Sequence, residues 1–225
     1  TGNPKAVPLT HANILDNCYA CLDRLICLTS ENIFLNVLPG FHAFGFTVCT
    51  ILPFILGARQ VLIANFMPPS KTIEALIQSG TDTLLLVPTM IGFVTSMLEK
   101  QGKQLQNIKI LISGGDRYNS EMDERVRKIF GVPVNEGYGI TECSPVLSVS
   151  QDAEHRKLGT VGKALKGFEI QLRNEIDEVL ENAYEGVLWA KGASVTRGYY
   201  HAEEINRERF KDGFFNTGDY VRIDS

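Results

Sequence analysis

The chain has 225 residues, with 22 Lys and Arg against 26 Asp and Glu, 44% hydrophobic residues, 20 Gly, 9 Pro and 5 Cys. This is the composition of a soluble globular protein with enough chain for a sizeable core, and it excludes disordered, collagen-like and disulfide-scaffold readings. A formal charge of −4 argues against a nucleic-acid partner, which would require surplus Lys and Arg to meet phosphates, and leaves a nucleotide or an acyl chain open as ligand.

The chain opens Thr1-Gly2-Asn3-Pro4-Lys5, without initiator Met, basic n-region or apolar signal core, and reads as a fragment or a mature product. A helix capped at or near Thr10 is expected to run to about Leu28. A strand over 33–38 is closed by Pro39-Gly40, and a buried helix kinked at Pro53 spans 43–56. Then follow a strand over 60–64 and a helix over 70–78 entered through Pro68-Pro69. Next come strand 83–87 with helix 89–100, strand 108–112 with helix 120–130, and strand 132–136. Strands this apolar need cover on both faces, so the fold class is α/β, with a helix-flanked, mostly parallel sheet over residues 1–150.

The uncharged stretch 32–58 has the length of a membrane span, but Asn36, Pro39, Gly40, His42, Gly45, Pro53 and Gly57 would break a lipid-facing helix. Beyond Ser150 frequent glycines separate short alternating runs such as 168–172 and 186–190. Residues 151–225 therefore read as a smaller antiparallel, barrel-like region with one short helix over 202–209. The five cysteines, at 18, 21, 27, 49 and 143, are odd in number and fit reduced cytoplasmic thiols. Cys18-Tyr-Ala-Cys21 has zinc or redox spacing, yet no second CxxC or His pair follows, and the segment reads as an amphipathic helix.

Three polar, glycine-rich stretches lie at the strand ends, where open α/β sheets place ligands. In Thr1-Gly2-Asn3-Pro4-Lys5, glycine lets backbone N–H groups approach a phosphate while Thr and Lys add a hydroxyl and a cation; read alone, it is equally a surface turn. Asn135-Glu136-Gly137-Tyr138-Gly139-Ile140-Thr141-Glu142 partly matches a dinucleotide fingerprint, but Glu142 stands where the third glycine belongs. A carboxylate beside a phosphate makes sense if it holds Mg²⁺, with Tyr138 stacking on a base and Thr141 donating to a phosphate. Asn216-Thr217-Gly218-Asp219 reads as a strand-ending turn whose carboxylate can accept from ribose hydroxyls. Between them, Ser113-Gly114-Gly115-Asp116 can let a flat ring lie on the backbone, and His42 can line a pocket or simply fix a turn.

In this order the segments TGNPKAVPLTH (1–11), LPGFHAFGF (38–46), SGGD (113–116), NEGYGITE (135–142), GTVGKAL (159–165), GVLWAKGASVTRGYY (186–200) and GFFNTGD (213–219) resemble the acyl-adenylate-forming superfamily. HAFGF and GYGITECSPV look most like the long-chain acyl-acyl-carrier-protein synthetase branch, including the synthetase part of bifunctional 2-acylglycerophosphoethanolamine acyltransferases. The resemblance implies that Thr1, Gly2 and Lys5 end the phosphate-binding loop, and that Tyr138 and the adjoining Gly139 lie near adenine. It makes Thr141 the α-phosphate contact, Glu142 the Mg²⁺ ligand and Asp219 the ribose acceptor. Gly114 and Gly115 would wall the adenine and acyl pockets, and His42 would sit near the acyl and thiol entry. Ala6 in place of a usual Gly, and Asp116-Arg117-Tyr118 in place of Ala-Pro-Leu, depart from the pattern.

The implied reaction uses ATP and Mg²⁺ to turn a fatty acid into an acyl-adenylate, which a pantetheine thiol of acyl carrier protein or CoA then attacks. Lys5, Thr141 and Glu142 serve as the catalytic set, and apolar segments 44–56 and 84–94 are candidates for an acyl tunnel. A cytoplasmic enzyme is expected, with membrane association open for the full-length protein. The sequence stops before the family's C-terminal lid domain and its Lys, so little turnover is expected of these residues alone. A non-catalytic nucleotide- or acyl-binding module is the rival reading.

Overall fold

The computed structural model describes residues 4–224; Thr1 and Gly2, expected at the phosphate loop, lie outside the described residues. Helix α1 (His11–Arg24) starts where Thr10 accepts from the Asn13 backbone N–H and Asn13 returns the bond to the Thr10 backbone N–H. This reciprocal cap fixes the entry angle. The helix ends at Arg24, short of the expected Leu28, and tight turns keep Leu25 and Leu28 buried beyond its end.

Strand β1 (Ile33–Asn36) leads into α2 (Ala43–Phe46), a π-helical turn at Thr47–Ile51 and α3 (Leu52–Leu56). The expected single kinked helix is thus three pieces. Pro53 has no N–H to give the Cys49 carbonyl, and the backbone widens ahead of it until the Leu52 N–H reaches Thr47, five residues back. Nor is the stretch wholly buried, since Phe46 and Phe54 are exposed. Among the described residues no helix is long and apolar enough to cross a membrane.

Next come β2 (Arg59–Leu62), α4 (Pro69–Ser79), β3 (Thr83–Leu86), α5 (Pro88–Lys100), β4 (Ile110–Ser113), α6 (Asp123–Phe130) and β5 (Asn135–Gly139). They assemble a parallel sheet in the order β2-β1-β3-β4-β5, to which β6 (Val146–Val149) and β7 (Lys163–Ala164) add antiparallel. The two-residue period of each strand explains its continuous apolar run. Leu84, Leu86 and Leu111 face α4, α5 and α6, whereas Leu85, Ile110 and Ile112 face α1 and the α2–α3 stretch. A helix-flanked, mostly parallel sheet is therefore what forms.

Strand β5 begins at Asn135 rather than Val132, because Pro133 cannot donate to a ladder. Gly137-Tyr138-Gly139 consequently lie within the strand and not in a turn after it. The later strands β8 (Glu169–Arg173), β9 (Glu185–Lys191), β10 (Phe210–Lys211) and β11 (Phe214–Arg222), with α7 (Glu203–Arg209) preceding β10, form a second, antiparallel sheet in the order β10-β11-β9-β8. The expected turn at Thr217-Gly218-Asp219 is instead a break of register inside β11, where Gly218 takes φ 79° and the strand resumes at Tyr220.

The loop between β6 and β7 is anchored to α6 by a buried ion pair. Arg156 donates to both carboxylate oxygens of Asp123, at 2.8 and 2.5 Å, and to the Val134 carbonyl at 2.7 Å. Burial alone would raise the Asp123 carboxyl, but hydrogen bonds from Arg156 and Arg127 outweigh it and hold it below the usual carboxylate range. A group depressed in the folded state stabilises fully above its unfolded pKa of about 4 and loses that contribution as pH falls through the folded value. Asp123→Asn is expected to cost about 3 kcal/mol at neutral pH by stranding Arg156. Urea titrations of both proteins should show that difference shrinking as the pH is lowered below 4.

Candidate active site

The C-terminal ends of β3, β4 and β5 open into a cavity of about 320 Å³. Its interior is apolar, walled by Cys21, Leu25 and Leu28 beside Val48, Leu52 and Leu85. Its mouth is polar and carries His42, Ser113, Gly114, Gly115, Thr141 and Glu142, with Tyr138 and Gly139 along one side. Of the expected acyl-tunnel segments, Phe44, Val48, Leu52 and Leu85 reach the cavity. Leu84 and Leu86 pack into the opposite core, because alternate strand residues point away from the cavity, and Ile91 and Val94 join that core from α5.

Backbone proximity shapes the mouth. A Cβ on Gly139 would stand 2.1 Å from the Pro145 carbonyl oxygen, so only glycine lets the β5–β6 connection close this tightly. Gly114 lies under the Phe44 ring, where a Cβ would stand 3.1 Å from Cζ. Thr141 and Glu142 occupy a 3₁₀ turn directly after β5, Thr141 exposed and Glu142 half-buried. His42 caps α2, its Nδ1 accepting from the Phe44 N–H at 3.2 Å.

Two contacts draw more distant residues to the mouth. The Tyr138 hydroxyl donates to Asp219 Oδ2 at 2.5 Å, so the register break in β11 of the second sheet meets β5 of the first. Burial, then the hydrogen bond to the Asp219 carboxylate, push the Tyr138 phenol well above its ordinary range. The buried Tyr199 hydroxyl donates to Glu142 Oε1 at 2.6 Å, and the Lys5 ammonium lies 5.5 Å from the Tyr199 ring centroid. Of the sequence-derived site residues, His42, Gly114, Gly115, Tyr138, Gly139, Thr141 and Glu142 line the one cavity. Asp219 joins it through Tyr138, and Lys5 stands one residue removed, against Tyr199.

Three residues that position the mouth carry no assigned role in the sequence reading, although one of them, Tyr199, lies in the stretch 186–200 quoted there. Asn17, wholly buried in α1, donates to the Cys143 and Val146 carbonyls at 3.2 and 2.7 Å and accepts from the Val146 N–H at 3.1 Å. Asn13, one turn earlier, donates to the Ala193 and Val195 carbonyls. Tyr199 is the third. The available signal was a pair of asparagines spaced i, i+4 on the apolar face of a helix, where their low propensity demands a partner.

The donor set at the mouth fits Mg²⁺. Glu142 offers a second carboxylate oxygen to which none of the described residues donates, and no cage of three or more His, Cys, Asp or Glu gathers among the described residues. One hard carboxylate without a cage suits a cation that takes most of its ligands from phosphate and water.

An open parallel sheet whose C-terminal edge carries a half-apolar, half-polar cavity defines an α/β protein with its ligand site at the strand ends. The chain belongs to the AMP-binding enzyme family, whose model matches residues 1–200. It is 28% identical to the long-chain-fatty-acid–CoA ligase of Haemophilus influenzae, covering 100% of this chain and 41% of that protein. It is 32% identical to the medium-chain fatty-acid–CoA ligase of Escherichia coli, covering 99% and 39%. Against the 2-succinylbenzoate–CoA ligase of Bacillus cytotoxicus it is 31% identical, covering 100% and 46%. The chain thus spans less than half the length of these curated relatives. Among solved structures, O-succinylbenzoate CoA synthetase of Bacillus subtilis with ATP and magnesium ion superposes with a TM-score of 0.86 at 28% identity, covering 100% of this chain and 46% of that one. ATP-bound MatB of Rhodopseudomonas palustris gives 0.88 at 26%, covering 100% and 44%.

Replacing Asn17 by Leu would leave the Cys143 carbonyl and both polar groups of Val146 without this partner, at about 1–3 kcal/mol per orphaned group. Asn17→Leu should therefore lower the urea midpoint by the equivalent of at least about 2 kcal/mol, whereas a substitution on the exposed face of α1, such as Ala12→Ser, should leave it unchanged.

Proposed function

We propose that the chain is the nucleotide- and acyl-binding part of an AMP-forming acid–thiol ligase, with 1–150 and 151–225 forming one site through the Tyr138–Asp219 bridge. The observation that carries this reading is the cavity itself: an apolar interior continuous with a mouth of glycines, hydroxyls and one carboxylate. That is the shape required by an acyl chain joined at one end to a nucleotide.

In this reading the fatty carboxylate oxygen bonds to the α-phosphorus of ATP as the bond to pyrophosphate breaks. A pantetheine thiol then forms the carbon–sulfur bond as AMP departs. Glu142 holds the Mg²⁺, and the metal when bound neutralises charge on the phosphate oxygens. Thr141 donates its hydroxyl to the α-phosphate and Lys5 offers its ammonium to the phosphate chain. Asp219, with Oδ2 accepting from Tyr138, presents Oδ1 to the ribose hydroxyls, and the Tyr138 ring flanks the adenine. Gly114 and Gly115 let the nucleotide and the acyl head approach the backbone, and His42 stands at the entry.

The cavity wall includes neither Lys nor Arg among the described residues. A second carboxylate, as on succinylbenzoate, would have no cation to meet it there, so a long aliphatic acid suits the interior better. We assign CoA or an acyl carrier protein as the acceptor. The free cysteines, at 18, 21, 27, 49 and 143, suit a reducing cytoplasm.

The test is ATP–pyrophosphate exchange by the full-length protein across a panel of carboxylic acids, then thioester formation with CoA and with carrier protein. Fatty acids should support exchange, and Glu142→Ala should lower it by about 10²-fold, the scale set by removing one charge-stabilising group. Equal exchange in the variant would remove Glu142 from the metal site. A preference for aryl or amino acids would overturn the fatty-acid assignment.

A further inference from the structure

We infer that Tyr199 is a positioning residue that locks the Glu142 carboxylate and the Lys5 side chain into one unit, with residues 196–200 acting as the clasp that joins them. The inference rests on the reading of Glu142 as the cation-holding carboxylate and goes beyond it, since Tyr199 itself does not line the cavity.

The clasp reaches Glu142 twice. The Thr196 N–H donates to the Glu142 carbonyl at 2.8 Å, and the Tyr199 hydroxyl donates to Glu142 Oε1 at 2.6 Å. It reaches the Lys5 segment three times: the Thr196 hydroxyl donates to the Pro8 carbonyl at 2.7 Å, the Tyr200 N–H donates to the Ala6 carbonyl at 2.9 Å, and the Tyr199 ring faces the Lys5 ammonium. Tyr199 is held in turn from behind. Its N–H donates to Asn206 Oδ1 at 2.7 Å and its carbonyl accepts from Asn206 Nδ2 at 2.8 Å, so both backbone groups are fixed by one amide on α7. Gly198 makes the approach possible, with φ at 140° and a Cβ there only 3.1 Å from the Asn206 side chain.

One side chain therefore does two separable things. The hydroxyl takes up one oxygen of Glu142 and fixes the carboxylate rotamer, which leaves the other oxygen for a cation at no further ordering cost. The ring seats the Lys5 ammonium 5.5 Å from its centroid without neutralising it, because a π-face attracts a cation but carries no net charge.

Calorimetric titration of the full-length protein with ATP, with and without Mg²⁺, separates these roles and reads binding rather than turnover. In the wild type Mg²⁺ should tighten ATP binding. Tyr199→Phe keeps the ring and should cut that metal-dependent gain about 5- to 10-fold while leaving metal-free ATP affinity unchanged. Tyr199→Leu should lose the gain and also weaken metal-free binding, since Lys5 has lost its seat. A Tyr199→Phe protein with the full metal gain, or one weakened equally with and without Mg²⁺, would overturn the positioning role. Tyr199→Leu matching Tyr199→Phe in metal-free affinity would overturn the Lys5 half. A wild type whose ATP affinity ignores Mg²⁺ would bring down the metal reading of Glu142 and this inference with it.

Discussion

One buried amide organises the candidate site. Asn17 sits inside α1, where a polar side chain without partners would oppose folding, and meets its needs on the backbone of the connection between β5 and β6. That connection carries Thr141 and Glu142, so the helix that walls the apolar interior also sets the height of the polar mouth. Asn13 repeats the device one turn earlier on residues 193 and 195, immediately before the clasp that bonds Glu142. Since the two amides lie i, i+4 on a rigid helix, the turn bearing Glu142 and the clasp are held in fixed relation.

The second constraint is steric. The sheet reverses direction after β5, and the reversal is tight enough that Gly139 presses on the Pro145 carbonyl. Because the strand continues through Gly139 before reversing, Tyr138 stays within a ladder and its hydroxyl projects to Asp219 on the other sheet. A looser turn would free Thr141 and Glu142 from the strand end, and with it from the remaining mouth residues on β4. The register break at Gly218 does the matching work on the far side, carrying Asp219 out of regular pairing with β9 and toward Tyr138.

Elements with a strong local pattern were legible in the sequence. The β3–α5 and β4–α6 units follow their apolar periods, Thr10 caps α1, and the motif order brought seven of the named residues to one cavity. What escaped was set by contacts between distant segments. Nothing local places Tyr199 on Glu142, 57 residues away, or Asn17 on Val146, 129 residues away. Local signals also misled where one residue outweighed its neighbours. Pro53 widened the helix before it instead of merely bending it, Pro133 delayed β5, and Gly218 kept β11 going as a bulge where Thr-Gly-Asp suggested an end.

The two faces of the parallel sheet carry unequal loads, and this bears on what the cavity is for. The face covered by α4, α5 and α6 packs Leu84, Leu86, Leu111, Ile91 and Phe130 to full burial. The face covered by α1 and the α2–α3 stretch surrounds the cavity, so Cys21, Leu25, Leu52 and Leu85 are core residues that lack packing partners on one side. On a scale of about 24 cal/mol per Å³ for unfilled core volume, a space of this size forfeits several kcal/mol of contact energy, less where it opens to water. A well-packed opposite face lets the domain tolerate that deficit. An apolar chain entering the cavity would restore the missing contacts, and a ligand that binds only the folded state stabilises that state by mass action. The same helix therefore walls the interior through Cys21 and, through Asn17, holds the turn that carries Thr141 and Glu142.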